Sequence, residues 1–468
     1  MNKNQEFLLY NSGSRTKEVF KSLKPGKVGM YVCGITPYSD SHLGHGRCYV
    51  VFDTLRRFLT YLGYEVNYIQ NITDIDDKII NKSLETGKTP AEISRKYFDL
   101  FMDSMEKLNV APASNHPKVT GNIPEIIEFV EGLISKEFAY ERGGSVYFRV
   151  SSLKGYGSLS GREDAQEENL ASRVDLEDEK ADSRDFAVWK KDEEHGWDSP
   201  WGKGRPGWHI ECSAMSRKFL GDEFDIHGGG LDLIFPHHEN EVAQSRALTG
   251  KEPARFWVHN GMVTLKGDKM SKSTGNFFLL NELLSKIEGP VLRFYLLSAG
   301  YRQLLDFTIE KVEGVKNSFL KLKELKKELE NSDLEYDGEI STNNPAILAL
   351  LDDLNTPRAI GEIFKLTLPV LEKIYSGSAE KDEMEAAWEM LRIVEEILGV
   401  DLKDTGHGEI SDEDIENLIS ERNAHRKEKR FAEADAIREK LSLMGIIIKD
   451  TPSGTKWVWE KGIEDIDE

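Results

Sequence analysis

Residues 28–69 read VGMYVCGITPYSDSHLGHGRCYVVFDTLRRFLTYLGYEVNYI and contain a strand, a helix and a second strand. The apolar run at 28–32 is typical of a short strand. Apolar residues between 51 and 62 recur at helical spacing, and Gly63 follows them as a stop signal. Residues 64–69 then alternate between apolar and polar as a strand does. Two strands joined by a helix predict a βαβ unit, and hence an α/β fold with a parallel sheet.

Length and composition limit the class of protein. The 468 residues suggest two to four domains at about 150 residues each. No stretch approaches the roughly 18–20 apolar residues of a membrane span, and the N-terminus has no apolar run of the signal-peptide kind. We therefore expect a cytoplasmic protein without a membrane partner. Three cysteines are too few for a disulfide scaffold.

The charge balance disfavours nonspecific binding of nucleic acids. The chain carries 61 Lys and Arg against 82 Asp and Glu, a net charge of −21. Such a surface repels polyanions at long range, so a nucleic-acid partner requires a local basic patch. Residues 160–182 concentrate acidic side chains among few apolar ones, which is typical of an exposed insertion with a solvated face.

The second half of the chain changes to helical periodicity. From residue 307 onward, apolar residues repeat at intervals of three and four, which predicts an all-helical domain. A polar segment at 404–414 contains two glycines and is typical of a linker. Beyond it, a helical stripe over 431–441 followed by an apolar run at 446–448 predicts a small terminal α/β module.

The tetrapeptide HLGH at 42–45 follows the first strand and opens the first helix. Free backbone N–H groups and the positive end of the dipole suit a phosphate at this position. Gly44 lets a flat ring approach the backbone, and His42 and His45 are spaced to donate to a developing pentavalent phosphate. An ordinary helix start with two incidental histidines is the alternative interpretation.

A second candidate for phosphate chemistry is KMSKSTGN at 269–276. Lys269 and Lys272, flanked by small hydroxyl residues and a glycine, predict a mobile cationic loop that neutralises a departing pyrophosphate. Taken alone, the segment is also compatible with a basic surface loop. Together and in this order, however, the two motifs resemble the signature of the class I aminoacyl-tRNA synthetases.

Four scattered residues have the chemistry of metal ligands: Cys33, Cys212, His237 and Glu241. His237 and Glu241 are four apart and share one face of a helix. Two thiolates, an imidazole and a carboxylate suit tetrahedral zinc. The spacing is not that of a zinc finger, and inert buried cysteines are the alternative. His238 is a competing ligand, and Cys48, inside the first helix, is expected to pack.

The terminal module reverses the sign of the charge. Residues 421–459 carry nine Lys and Arg against six Asp and Glu. Basic residues beside Trp457 and Trp459 suggest stacking of exposed aromatic rings on unpaired bases. A solvated helix with core tryptophans is the alternative.

Over essentially its whole length, the chain resembles the cysteine-specific family within class I aminoacyl-tRNA synthetases. The resemblance is carried by CGITPY at 33–38, HLGH at 42–45, NITDIDDK at 71–78, DFAVWK at 185–190, SPWG at 199–202, GWHIEC at 207–212, FPHHENE at 235–241, KMSKS at 269–273, FAEAD at 431–435 and GTKW at 454–457. Several of these stretches are specific to the cysteine enzymes.

The resemblance implies a fold and a set of ligands. It implies a Rossmann-like catalytic domain at 1–306 with an insertion at about 115–205, a helical bundle at 307–403 and an anticodon-binding module at 404–468. It implies one zinc ion per chain, held by the residues Cys33, Cys212, His237 and Glu241. It also places Thr73, Trp208 and His227 around the bound amino acid and Lys272 on the ATP phosphates.

The same resemblance implies the reaction and the partners. L-cysteine and ATP, which brings Mg²⁺, form cysteinyl-adenylate, and the cysteinyl group then passes to the 3′ end of tRNA(Cys). We expect catalytic roles for His42, His45, Lys269 and Lys272, and ATP contacts from His42, Gly44, His45 and Lys272. The expected tRNA contacts are Arg426, Lys427, Arg430 and Trp457. By analogy we expect a monomer.

Three rival functions are weighed against this one. A ligase that passes cysteine to an amino sugar shares the first half-reaction, but it is shorter and lacks residues like 404–459. A non-catalytic zinc- or RNA-binding relative does not need both intact signature motifs. A small nucleotidylyltransferase shares the histidine motif, but the lysine motif and the long helical half argue against it.

Overall fold

A computed structural model of the chain describes residues 6–162, 180–265, 267–269, 277–332, 334, 336–403, 412–451 and 454–459. The catalytic half contains strands β1 (Leu8–Asn11), β2 (Thr16–Val19), β3 (Lys27–Ile35) and β4 (Glu65–Ile72), with helix α1 (Leu43–Tyr61) between β3 and β4. Helices α2 (Asp77–Thr86), α3 (Pro90–Lys107) and α4 (Ile123–Ser135) follow.

The insertion and the return to the main sheet come next. Strands β5 (Ala139–Arg142), β6 (Ser145–Phe148), β7 (Phe186–Lys191) and β8 (Gly204–Pro206) precede α5 (Ile210–Leu220) and β9 (Phe224–Gly230). Helix α6 (Glu239–Thr249) is followed by β10 (Ala254–Asn260), β11 (Val263–Leu265), β12 (Asp268–Lys269), α7 (Leu280–Lys286), α8 (Gly289–Leu296) and β13 (Leu305–Phe307).

The C-terminal half is mainly helical. It comprises α9 (Ile309–Glu330), α10 (Pro345–Leu351), α11 (Thr356–Ser376), α12 (Lys381–Arg392), α13 (Asp412–Lys427) and α14 (Phe431–Leu443), and ends with β14 (Ile446–Thr451) and β15 (Gly454–Trp459). In the part of the chain that is described, no helix is both long and apolar enough to cross a membrane.

The central sheet has the order β10-β9-β3-β4, and all of its neighbouring strands are parallel. The α/β prediction is therefore confirmed, because β3, α1 and β4 form the βαβ unit expected from residues 28–69. Helix α1 begins earlier than its apolar periodicity indicates, directly after His42. Most of its residues are buried against the sheet and the helical half, and this burial explains why nearly every face is apolar.

A second sheet, β5-β6-β7-β8, is antiparallel and lies within the predicted insertion. Most of the acidic stretch predicted to be exposed at 160–182 lies outside the described residues. Helices α9 to α12 agree with the predicted helical periodicity. In the terminal module, α13, α14 and the β14–β15 hairpin enclose a small core of their own.

Close packing at the carboxyl ends of β3 and β4 sets the position of the site. A Cβ atom added at Gly34 would lie 1.6 Å from the carbonyl oxygen of Asn71, so only glycine allows the two strands to meet there. The backbone N–H of Gly34 also donates to the side-chain oxygen of Asn71 at 2.8 Å. The polar and ionisable residues that follow β3 and β4 are thereby brought to one edge of the sheet.

Candidate active site and metal centre

A cavity of about 450 Å³ opens at the carboxyl ends of the parallel strands. This is the edge at which open α/β sheets bind their ligands. The start of α1, including His42, Gly44 and His45, lines this cavity. Cys33, Cys212 and His237, together with Thr73 and Trp208, line the same cavity. The cavity therefore joins the predicted phosphate site to the predicted metal ligands.

The structure brings the four predicted metal ligands together. One donor atom from each of Cys33, Cys212, His237 and Glu241 lies within 4.8 Å of the others. The two Sγ atoms are 3.8 Å apart, and His237 Nε2 is 3.0 Å from Glu241 Oε1. All four residues are buried. They come from the end of β3, from α5, from the π-helical turn Ile234–His238 and from α6.

A second group of donors overlaps the first. Cys33, His227, His238 and Glu241 also offer donor atoms within 4.8 Å of one another. His238 Nε2 is 3.2 Å from Cys33 Sγ, and His227 Nε2 is 2.8 Å from Glu241 Oε2. His238 Nδ1 is already paired with His259 Nε2 at 2.8 Å. The competing ligand anticipated from the sequence thus lies beside the same cluster.

The electrostatics of the first group fit a cation. The hydrogen bond from Cys33 lowers the pKa of the Cys212 thiol to about 6, against the effect of burial. Burial, with neighbouring Cys212, raises the pKa of Cys33, so the remaining proton of the pair stays there. Burial opposes ionisation of Glu241, but His227 and His237 outweigh it and lower its pKa to about 2. A buried thiolate and a buried carboxylate are donors that a divalent metal ion would compensate.

Two of the three predicted substrate residues line the cavity. Thr73 Oγ1 donates to Glu211 Oε2 at 2.7 Å, deep in the site. The Trp208 ring is 37% exposed and lies 4.3 Å, centroid to centroid, from the ring of His237. His227 lies behind them, because it is 1% exposed and bonded to Glu241. A supporting role suits this position better than the direct contact that the resemblance implies.

The histidine pair lies at the start of α1. His42 is the N-cap residue, and its ring stacks on that of His45 with centroids 3.8 Å apart. The backbone N–H of His42 donates to His45 Nδ1 at 3.3 Å. The helix N-terminus thus presents both rings and its backbone to the cavity. Of the lysine motif, Lys269 ends β12, whose backbone pairs with β11, while Lys272 lies outside the described residues.

The exposure predicted for Trp457 is wrong. Its side chain is 5% exposed in the core of the small module, and its indole N–H donates to Glu416 at 2.6 Å. Lys327 Nζ of α9 lies 3.2 Å from the ring centroid. Burial against α13 and α9 leaves no face for a base to stack on, so the alternative of a core tryptophan is correct here.

The three basic residues predicted to contact tRNA are exposed. Arg426 is paired with Asp450, and Arg430 is paired with Glu428. Lys427 lies beside them at the end of α13. Their exposure is compatible with a contact to a polyanion, and the contact itself stays a prediction.

Sequence reasoning missed two cavity residues. Glu211, adjacent to Cys212, is 2% exposed and accepts the Thr73 hydroxyl; burial, aided by Cys212, raises its pKa well above the usual value. Lys78 lines the cavity with its Nζ 5.4 Å from the Tyr38 ring centroid. Both residues lie in the motifs quoted above, but only contacts between segments distant in sequence identify them as parts of the site.

The fold and the cavity define a class I aminoacyl-tRNA synthetase. Residues 19–317 match the family of tRNA synthetases class I (C) catalytic domains, residues 347–403 match the DALR domain, and residues 411–457 match the cysteinyl-tRNA ligase anticodon binding domain. The chain belongs to the cysteine–tRNA ligase family.

Relatives over nearly full length agree with this membership. The chain is 47% identical to the cysteine–tRNA ligase of Carboxydothermus hydrogenoformans, covering 96% of this chain and 99% of the relative. It is 46% identical to that of Heliobacterium modesticaldum, covering 96% and 98%. Among solved structures, methionyl-tRNA synthetase of Mycobacterium tuberculosis with methionyl-adenylate matches with a TM-score of 0.57 and 15% identity over 80% of this chain and 90% of that one. At this identity, the match shows the shared fold.

Proposed function

We propose that this chain activates L-cysteine with ATP and transfers it to the 3′ end of tRNA(Cys). The observation that carries the proposal is the cavity that joins a thiol-rich metal-ligand cluster to a helix N-terminus bearing two histidines. The cluster suits a sulfur-containing substrate, and the helix end suits a nucleotide phosphate. Family membership supports the same reaction.

One zinc ion per chain is part of the proposal. The residues that would hold it are Cys33, Cys212, His237 and Glu241, because their donor set matches the preferences of zinc. When bound, zinc supplies a thiophilic Lewis acid that favours a thiolate over a neutral hydroxyl. We prefer this group of ligands to the overlapping one because it offers two thiols, whereas the overlapping group offers one.

Selection of cysteine over serine requires a group that binds sulfur in preference to oxygen. The two amino acids differ in one atom, and hydrophobic pockets separate such near-isosteres by only about 1–3 kcal/mol. Thr73 and Trp208, which line the same cavity as the two cysteines, would enclose the amino acid. The hydrogen bond from Thr73 to Glu211 fixes the direction of the threonine hydroxyl.

Adenylate formation needs positioning and charge stabilisation. The cysteine carboxylate attacks the α-phosphate of ATP. A new bond from the carboxylate oxygen to the α-phosphorus forms, the bond from that phosphorus to the oxygen bridging to the β-phosphate breaks, and pyrophosphate leaves with the electron pair. No covalent enzyme nucleophile is needed. His42, Gly44 and His45 would contact the nucleotide, and Lys269 and Lys272 would neutralise the pyrophosphate, with Mg²⁺ arriving on ATP.

The remaining parts of the proposal concern organisation and tRNA. The catalytic domain at 1–306, the bundle at 307–403 and the anticodon module at 404–468 are proposed as the three units. Arg426, Lys427 and Arg430 offer exposed positive charge to the tRNA backbone. A monomeric state, by analogy with the family, and a cytoplasmic location complete the proposal.

The deciding experiment is cysteine-dependent ATP–pyrophosphate exchange by the full chain, with zinc measured on the same sample. We expect exchange with cysteine, little with serine and one zinc per chain. Charging of tRNA(Cys) in a second assay separates this function from ligation of cysteine to an amino sugar. Absence of cysteine-dependent exchange, or equal exchange with serine, contradicts the proposal.

A further inference from the structure

Arg47, two residues after the histidine pair on α1, is fully buried. Its guanidinium donates four hydrogen bonds to backbone carbonyls on two other segments. Nη1 contacts the carbonyls of Gly261 and Met262 at 3.0 and 2.8 Å, and Nη2 contacts those of Gly300 and Gln303 at 3.2 and 2.6 Å. One side chain therefore ties two loops to helix α1.

The charge of Arg47 is balanced differently from that of a comparable arginine. Within the described part of the chain, no carboxylate lies at ion-pair distance from Arg47, and burial lowers its pKa to about 10, so it is charged at neutral pH. Arg293 is equally buried and also donates to carbonyls, but its Nη2 is 2.5 Å from Asp53. A buried cation without a carboxylate is costly, so its position requires a physical reason.

The two loops that Arg47 holds are packed tightly against each other. Gly261 N–H donates to the carbonyl of Tyr301 at 2.7 Å, and a Cβ atom at Gly261 would lie 2.2 Å from the carbonyl oxygen of Gln303. These loops lead directly into β11 and β13, which are parallel neighbours. Arg47 thus anchors the start of this strand pair.

The loop that leads into β11 lines the cavity, as does Val263 at the start of that strand. Gly261 and Met262 line the cavity together with His42 and His45. Strand β12 pairs with β11 and ends at Lys269, the first residue of the lysine motif. The spacing between the histidine pair and the hairpin that leads to the lysine motif is consequently fixed through Arg47.

We propose that Arg47 is a positioning residue for ATP, which holds the cavity-lining loop Gly261–Met262 and the β11–β12 hairpin against α1. The inference rests on the proposed function in that ATP is the nucleotide bound. It predicts a defect confined to the nucleotide, because none of the four carbonyls that Arg47 holds belongs to a segment that carries a metal ligand or Trp208.

The test compares zinc-loaded full-length Arg47→Met and Arg47→Lys with the matched variant Arg293→Lys. The measurements are the equilibrium Kd for ATP, the KM values for ATP and cysteine in pyrophosphate exchange, the zinc content and the Tm. In Arg47→Met we expect the Kd and KM for ATP to rise at least about tenfold, with the KM for cysteine and the zinc content within about twofold of wild type. Arg47→Lys retains the charge and gives a smaller rise. Arg293→Lys lowers the Tm without changing the Kd for ATP.

Two results overturn the inference: unchanged ATP binding in both Arg47 variants, or equal losses for ATP and cysteine, which indicate general structural damage. If Arg47→Met does not fold, Arg47→Lys provides the test. A KM for ATP that rises more than the KM for cysteine supports the inference, and equal rises overturn it. If the wild-type chain shows no cysteine-dependent exchange, the proposed function fails, while the Kd for ATP still tests the role of Arg47.

Discussion

The metal-ligand cluster and the small C-terminal module both organise charge, but in opposite ways. The cluster gathers Cys33, Cys212, His237 and Glu241 from four segments, and all four residues are buried. The module pairs Arg422 and Arg426 with Asp450 within a short stretch of chain, and Asp450 is 44% exposed. Electrostatic interactions strengthen as water is excluded, so equivalent substitutions should have very different effects in the two regions.

The largest effect is expected at the metal-ligand cluster. Cys212→Ser removes a donor with a lowered pKa and should reduce zinc content to near zero and cysteine-dependent exchange by about 100-fold or more. Elemental analysis and the exchange assay measure both. Cys48→Ala is the matched control, since Cys48 is buried in α1 outside the donor cluster, and it should retain the metal. Normal metal content in Cys212→Ser would remove this residue from the site.

The second largest effect is expected from replacing a tryptophan in the module, and we compare it with the replacement of a tryptophan in the cavity. Trp457→Ala should destabilise the module by about 3–5 kcal/mol, because it opens a cavity in a small core and leaves Glu416 without the indole N–H that it accepts. Exchange should persist while tRNA charging falls. Trp208→Ala, at a half-exposed position in the cavity, should instead raise the KM for cysteine with little change in stability. Urea unfolding, pyrophosphate exchange and tRNA charging measure these differences. Equal losses of stability and equal changes in the KM for cysteine in the two variants would contradict the prediction.

A smaller effect is expected from the pH dependence of Asp450. Hydrogen bonds from Arg422 outweigh burial and lower the pKa of Asp450 below its usual value. A lowered folded pKa stabilises the module above the unfolded pKa of about 3.9, and this contribution is lost as the pH falls through the folded value. Since Asp450 is partly exposed, Asp450→Asn should cost only about 1 kcal/mol at pH 7. The variant should also be less sensitive to pH below about 5 in unfolding followed by tryptophan fluorescence.

The smallest effect is expected where the module meets α9. Lys456 Nζ is 2.8 Å from Glu328 Oε2, with the lysine side chain 30% exposed. Lys456→Gln should weaken the module by about 0.5 kcal/mol at low salt, and the difference should vanish near 1 M salt, where screening is strong. A loss independent of salt would show that packing, rather than charge, holds this contact.

The two regions also differ in how well the sequence predicts them. The start of α1 and its histidines follow from local signals, and the structure places them at the cavity. The exposure of Trp457 was predicted incorrectly because local composition cannot tell whether a ring in a basic segment faces solvent or a helix such as α9. From the sequence pattern alone, Cys33 and Cys212 could be either metal ligands or inert core residues.

By itself, the sequence determined the α/β class, the helical second half and the residue types that carry the chemistry, since these depend on periodicity and on motifs that are local in the chain. Only the tertiary structure brought Cys33 within 3.8 Å of Cys212, placed His227 behind Glu241 and gave Arg47 its four carbonyl partners. The physical reason is that parallel strands end at one edge of a sheet: crossovers bring distant segments together there, and their contacts leave no trace in local sequence pattern.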